Sequence, residues 1–413
     1  MGVAVAAQYS LTKLFNDPLL RVTTSLVASA PKEEKGESAI AVMILALFLG
    51  VAQMVLFGPG AGAAIQGLGI STDAEMYAPA VAYLRVRAFG APCGSALLAL
   101  TGVCRGLGDA KSPFYASVLA TIVNIVLDPL LIFNLGWGCG GAAAATVIAQ
   151  ACGAMLLVFG LSGARGRGEL GTSSGGFRWQ VLVRVLRNFM VTAGVMIARN
   201  WGKVFCFTFM ARQAALQGPV VAAAHGLVFQ LGFATSQVAE SLATSTQVLI
   251  AQALRAIKDT SAVYQFAPLP PRTAARWIVR RGLQLGLVMS LALSGLTYLG
   301  QGRILGALTS DAAVQAACTA VMPVVLLCQI FKALAYPMNG SLMGALDWAF
   351  SAVVLWTAGA AGVGLFSFLA SFGVVDLRTV WFGLTTFFAT QVVLGLGRIF
   401  SGTGPWRALR EAA

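Results

Sequence analysis

Residues 83–134 read YLRVRAFGAPCGSALLALTGVCRGLGDAKSPFYASVLATIVNIVLDPLLIFN, and this stretch decides the fold. Two apolar runs of membrane-spanning length flank a short polar loop, Arg105 to Ser112 (RGLGDAKS). The second run carries Asn124 and Asp128 four residues apart, with Pro129 directly behind the acid. Residues i and i+4 share a helix face, so the amide and the carboxylate are expected to point the same way. Proline lacks an N–H and pushes on the carbonyl four residues back, here that of Ile125. An amide, a carboxylate and a freed carbonyl offer hard oxygen donors, suited to a proton or a small hard cation.

Outward from that block the chain stays apolar. It is 58% hydrophobic and 10% charged, with a mean hydropathy of +0.80. Soluble domains carry about 25% charged residues, so this composition is that of a polytopic membrane protein. The net charge of +13 suggests nucleic acid until its placement is read. Most Lys and Arg, Arg105, Lys111, Arg165, Arg255 and Arg280 among them, fall in the linker, the tail and loops of one parity. The positive-inside rule puts those loops on the cytoplasmic or stromal side, so the charge reports orientation and no nucleic-acid partner is expected. The seven cysteines are scattered through apolar runs without metal-ligand spacing and read as packing residues.

Apolar spans lie at about 39–59, 77–103, 113–134 and 140–162, then at about 181–214, 219–254, 274–300, 314–343, 347–372 and 377–400. Between the two sets runs SGARGRGELGTSSGGFR, residues 162–178, whose composition cannot build a core and predicts a flexible surface linker. Across it Gly102-x3-Gly106-x2-Asp109 recurs as Gly340-x3-Gly344-x2-Asp347, each copy where one span ends and the next begins. An even number of spans separates the copies, so the halves are expected to share one topology about an axis along the membrane normal. The expected fold is therefore all-α and polytopic, with two pseudo-symmetric helical lobes at 1–161 and 179–413.

The residues quoted above carry a resemblance. The block resembles the plant and bacterial multidrug and toxic compound extrusion (MATE) family, whose members carry YLR-R-G-P, a G-x3-G-x2-D turn and N-x3-DP. The likeness to plant and plastid-type members runs over most of the chain. In them a stretch similar to KLFN-PLL-VTTS-VA, here at 13–28, is the second of twelve helices. The resemblance thus implies a six-plus-six plan with about eleven helices present and the first absent, either because the chain is a fragment or because its gene model starts late. The other reading of residues 1–37 is an amphipathic surface helix.

Two acids, Asp128 and Glu240, sit well inside apolar runs. A charge at the centre of a membrane helix costs about 2.5–3.5 kcal/mol on insertion scales, so it faces a cavity or a partner. For Asp128 the choices are a cation or proton site with Asn124, which the resemblance favours, or an ion pair with Arg85 or Arg87. Glu240, Thr244 and Gln247 recur at i, i+4 and i+7 as one polar helix face. Family members are similar there, and a coupling role for Glu240 and a cavity-lining role for Gln247 stand against simple interhelical hydrogen bonding. His225, the sole histidine, either contacts solute or ties helices together. Arg199 and Lys203 are four apart; they either line a cavity for an organic anion or snorkel to the interface.

No Walker motif or H-E-x-x-H occurs, so neither ATP drive nor enzymology is expected. The expected activity is secondary-active antiport, exporting a small organic solute in exchange for H⁺ or Na⁺ by alternating access. The coupling ion is the sole cofactor expected, and the expected partners are the solute and the bilayer, with the protein a monomer. A lipid-linked substrate flippase of the same superfamily and a non-transporting fragment are the competing readings. The plastid envelope is the first membrane to consider, then the plasma or vacuolar membrane.

Overall fold

Apolar runs punctuated by Gly-Pro pairs and aspartate-capped turns leave the backbone one way to satisfy itself in lipid, the α-helix. The computed structural model describes residues 2–67, 72–73, 77–166, 179–258 and 269–409, and they are helical nearly throughout. The helices are α1 (Gly2–Ser29), α2 (Lys35–Phe57), α3 (Ala61–Gly67), α4 (Tyr77–Phe89), α5 (Ala91–Gly106), α6 (Lys111–Pro129) and α7 (Gly138–Gly166). They continue as α8 (Trp179–Leu216), α9 (Pro219–Lys258), α10 (Pro271–Leu308), α11 (Ala312–Gly344), α12 (Trp348–Ser371) and α13 (Leu377–Ser401). Of the expected linker, 162–166 continue α7 as helix, and 167–178 lie outside the described residues.

Seven of these helices are long and apolar enough to cross a membrane alone, and two bent stretches raise the number to nine among the described residues. The helices α1 and α8 are the other long ones, and α8 carries Arg184, Arg187, Arg199, Lys203 and Arg212 along its length. One bend, of 53°, joins α4 to α5 at Gly90-Ala91-Pro92. Proline at the start of α5 cannot donate a helical bond backward, so the span breaks there. Large side chains such as Phe48, Ile125, Phe133, Val288 and Leu299 stand exposed along the helices, as hydrocarbon-facing surfaces require.

The chain divides into two compact units, Met1–Ala193 and Gly194–Ala413, the division falling within α8. In the first, α5 packs on α1, α2 and α7, while α6 lies along α7. In the second, α11 is central, packed on α9, α10 and α13, and α12 lies on α13. Lipid is as apolar as leucine, so these contacts depend on close approach through small residues. Gly340 and Gly344 of α11 sit against the Ala243 and Gln247 carbonyls of α9. Gly102 and Gly106 of α5 sit against the Leu20 and Thr24 carbonyls of α1.

The repeated motif is thus a repeated structure. Its first copy closes with Asp109 N–H on the Cys104 carbonyl (2.9 Å) and Gly108 N–H on that of Arg105 (2.9 Å). Its second closes with Asp347 N–H on the Leu342 carbonyl (3.0 Å) and Leu346 N–H on that of Met343 (3.1 Å), the same bonds at matching positions. The aspartates then diverge. Asp109 accepts the Lys111 and Ser112 N–H groups at 2.9 and 3.0 Å, capping α6. Asp347 instead takes a bidentate pair from Arg398, at 2.9 and 3.2 Å.

The turn needs a left-handed residue, and Gly108 supplies it at φ 89°. The second copy forces Leu346 to φ 58°, a strain of roughly 1–2 kcal/mol for a residue with a Cβ. Leu346 is 40% exposed, so it gains little from burial in return. Leu346→Gly is expected to raise stability by about 0.5–1 kcal/mol, read as a higher melting temperature of the purified protein. A lower one would show that the side chain's contacts outweigh the strain.

Candidate functional site

In the first unit the site grows from α6. Its outer face carries Ile122, Ile125 and Val126, all exposed, and its inner stripe carries Asn124 and Asp128, both half-buried. The Asn124 amide donates to Asp128 Oδ2 at 2.6 Å, so the helical spacing does bring the two together. Asp128 Oδ1 is buried and accepts no hydrogen bond. Beyond Pro129 the backbone widens to a π turn, Leu130–Asn134, closed by Leu135 N–H on the Leu130 carbonyl at 3.0 Å.

Neither arginine of the YLRVR segment pairs with the acid. Arg85 is exposed, and Arg87 Nη1 donates to Gln150 Oε1 at 3.0 Å. Among the described residues Asp128 makes no salt bridge; Tyr83, buried on α4, lies within electrostatic reach of both Asp128 and Arg87. Arg87 also lines a cavity of about 100 Å³ with Asn16, Gln53, Ser95 and Gln150. Asn16 Oδ1 and Arg87 Nε are buried there without partners. Sequence reading missed this group, whose signal was one lone amide or hydroxyl in each of several apolar runs.

In the second unit Lys203 and Lys332 line one cavity of about 50 Å³, with Phe207, Phe229, Trp381 and Phe388 among its walls. Lys203 Nζ stands 5.3 Å from the Phe207 ring centre and Lys332 Nζ 5.9 Å from that of Phe388. His225 lies behind the wall, buried, its ring 5.9 Å from Phe229 and 5.8 Å from Trp381. Lys332 was legible as a basic residue within a span, but nothing local linked it to Lys203.

Arg199 goes elsewhere. It is buried and donates from Nε to Ser351 Oγ at 2.7 Å and from Nη2 to Asn339 Oδ1 at 3.1 Å, and Asn339 donates on to Gln391 Oε1 at 2.9 Å. That network ties α8, α11, α12 and α13 in the middle of the unit. Gln247 is buried at the crossing of α9 with α11, its carbonyl against Gly344. Glu240 is half-buried on α9, and its own carbonyl accepts the Thr244 hydroxyl at 3.0 Å. Among the described residues no cluster of His, Cys, Asp and Glu could hold a metal ion.

A family model, MatE, matches residues 25–130, the segment that includes the Asn124–Asp128 pair. Over its whole length the chain is 31% identical to protein DETOXIFICATION 44, chloroplastic, of Arabidopsis thaliana, covering 77% of that relative. It is 32% identical to DETOXIFICATION 43 of the same plant over 89% of this chain and 65% of that one. A solved multidrug resistance MATE family transporter of the MOP superfamily, in an outward-facing conformation, superposes with a TM-score of 0.83 at 19% identity, over 99% of this chain and 88% of that one. A MATE structure in the straight conformation gives 0.82 at 18% identity. With a full-length relative at this identity and the same helical architecture, the chain belongs to the MATE family, multi-pass membrane proteins that act as transporters and not as enzymes.

Proposed function

We propose that the protein is a secondary-active antiporter, exporting a small organic solute in exchange for H⁺ or Na⁺, with Asp128 as the group that carries the exchange. The observation that supports it most directly is the state of that carboxylate. One oxygen is held by Asn124 at 2.6 Å, while the other is buried and empty-handed on the inner stripe of an apolar helix. A carboxylate with an unused oxygen and no fixed cation can take up and release H⁺ or Na⁺. Binding there biases one conformation of an alternating-access cycle, because a ligand shifts an equilibrium only by its differential affinity for the two states. Glu240, half-buried on α9, is the acid within an apolar run of the other unit. The family's multidrug members and the chloroplastic relative support export of organic solutes and a plastid-envelope location.

The test is solute-driven ion movement in proteoliposomes. Adding organic ions outside should release H⁺, followed by an internal dye, or ²²Na⁺ from loaded vesicles, with no nucleotide present. Transport that persists after ionophores collapse both gradients and that requires ATP would refute antiport.

A further inference from the structure

The first turns of α10 read PRTAARWIVRR, with arginines at 272, 276, 280 and 281 and no acid among them. Ala274, Ala275, Ile278, Val279 and Gly282 are buried on one side of these turns. The helical period carries the arginines and Trp277 to the other side, where Arg276, Trp277, Arg280 and Arg281 are exposed. Arg272 Nε donates to the Ala408 carbonyl at 3.0 Å, and Arg276 Nη2 donates to that of Leu409 at 2.6 Å. Arg281 Nη1 donates to Gln284 Oε1 at 3.2 Å, and its guanidinium lies 5.6 Å from the Trp277 ring centre. Arg280 bonds nothing among the described residues, and none of the four arginines pairs with a carboxylate there. Carbonyls, an amide and a ring face leave four like charges without a neutralising partner.

What lies below the arginines on the same face identifies the occupant. Past Gln284 the exposed stripe continues as Leu287, Val288 and Leu291, with no further charge before Arg303. Arg276 to Arg281 spans about 8 Å of helix axis, the depth of one headgroup layer, and the leucines beneath stand at acyl-chain depth. A soluble anion would answer the charge and leave the apolar stripe unused, whereas a zwitterionic lipid would do the reverse. Guanidinium groups bond a phosphodiester through two parallel N–H groups, which an ammonium cannot do. The Trp277 ring fits the boundary between headgroup and chain. We propose that this face of α10 is a binding site for an anionic phospholipid. Arg276, Arg280 and Arg281 hold its phosphate, and Leu287, Val288 and Leu291 take its acyl chain. The site requires only that α10 cross the bilayer, as its length and hydropathy allow, and does not depend on antiport.

Native mass spectrometry of the full chain in detergent, titrated with phosphatidylglycerol or phosphatidylcholine, counts bound lipids and gives their affinities. The first phosphatidylglycerol is expected to bind at least about tenfold more tightly than phosphatidylcholine. Arg280→Gln should weaken it about fivefold, and Arg280→Gln with Arg281→Gln about twentyfold, since each basic side chain near a membrane surface contributes about fivefold. The double lysine variant should fall between parent and double glutamine, because it keeps the charge and loses the fork. Arg303→Gln, about 35 Å further along α10 than Arg280, should bind like the parent. Arg280 makes no bond that folding would miss, so the single variant carries the test should the double one fail to fold by melting temperature. Equal affinity for the two lipids, glutamine variants that bind like the parent, or an equal loss in Arg303→Gln would overturn the site. Release of the lipid by inorganic phosphate, at an ionic strength held constant with chloride, would overturn it too and make a soluble anion the occupant.

Discussion

Asp128→Asn should abolish ion-coupled solute movement while leaving the protein expressed and folded. The substitution keeps the shape of the side chain and its place beside Asn124, which holds Oδ2 at 2.6 Å. It removes the one property that exchange requires, a carboxylate able to change its occupancy. Because Asp128 makes no salt bridge among the described residues, no arginine is stranded by the change, and little loss of stability follows. Gradient-driven accumulation in proteoliposomes should fall to the level of protein-free vesicles, with the melting temperature near that of the parent. Asn124→Ala should reduce transport by roughly tenfold, since it removes one hydrogen bond to a charged group and leaves the titrating acid. A different pattern would defeat the assignment. If Asp128→Asn depressed folding and its remaining transport still responded to pH, the residue would be a structural member of α6, with coupling elsewhere.

The second large effect concerns packing. A Cβ on Gly340 would stand 2.2 Å from the Ala243 carbonyl oxygen, and one on Gly344 would stand 2.3 Å from that of Gln247. Both obstacles are helix backbone, which cannot swing aside as a side chain can. Gly340→Leu must therefore part α11 from α9, the closest pairing of the second unit, and the cost is expected to exceed about 3 kcal/mol. The variant should appear largely as aggregate on size-exclusion chromatography after solubilisation. Gly102→Ala makes a useful contrast, since its new methyl meets the Thr23 side chain at 2.8 Å and the Leu20 carbonyl only at 3.0 Å. It should lower the melting temperature and still yield folded protein. A monodisperse Gly340→Leu with parental stability would show that the two helices have room to separate.

Much of this was legible before any coordinates. Hydropathy placed the spans, and the backbone's need for internal hydrogen bonds in lipid made them helices. Helical spacing put Asn124 and Asp128 on one face, and that pair needs nothing beyond its own helix to meet. The glycine-aspartate repeat announced two related halves, because the tight crossing and the turn after it make local demands on local residues. Even the strained Leu346 occupies the position of Gly108, visible once the two copies are aligned.

What sequence could not decide was which faces meet. Arg199 and Lys203 are four apart and were expected to share a helix face, yet Arg199 bonds Ser351 and Asn339 while Lys203 lines a cavity with Lys332. Those partners lie 152 and 140 residues from Arg199 along the chain. Periodicity assigns a residue to a face of its own helix and is silent about the helix across from it. In a membrane that silence is deeper than in water, since lipid and protein interior are equally apolar and the hydropathy of a face does not say which it will touch. The spans, the repeat and the Asn124–Asp128 pair thus belong to the sequence itself. The arginine network, the paired lysines and the lack of an ion partner for Asp128 among the described residues were settled only when close-packed glycines fixed which helices lie side by side.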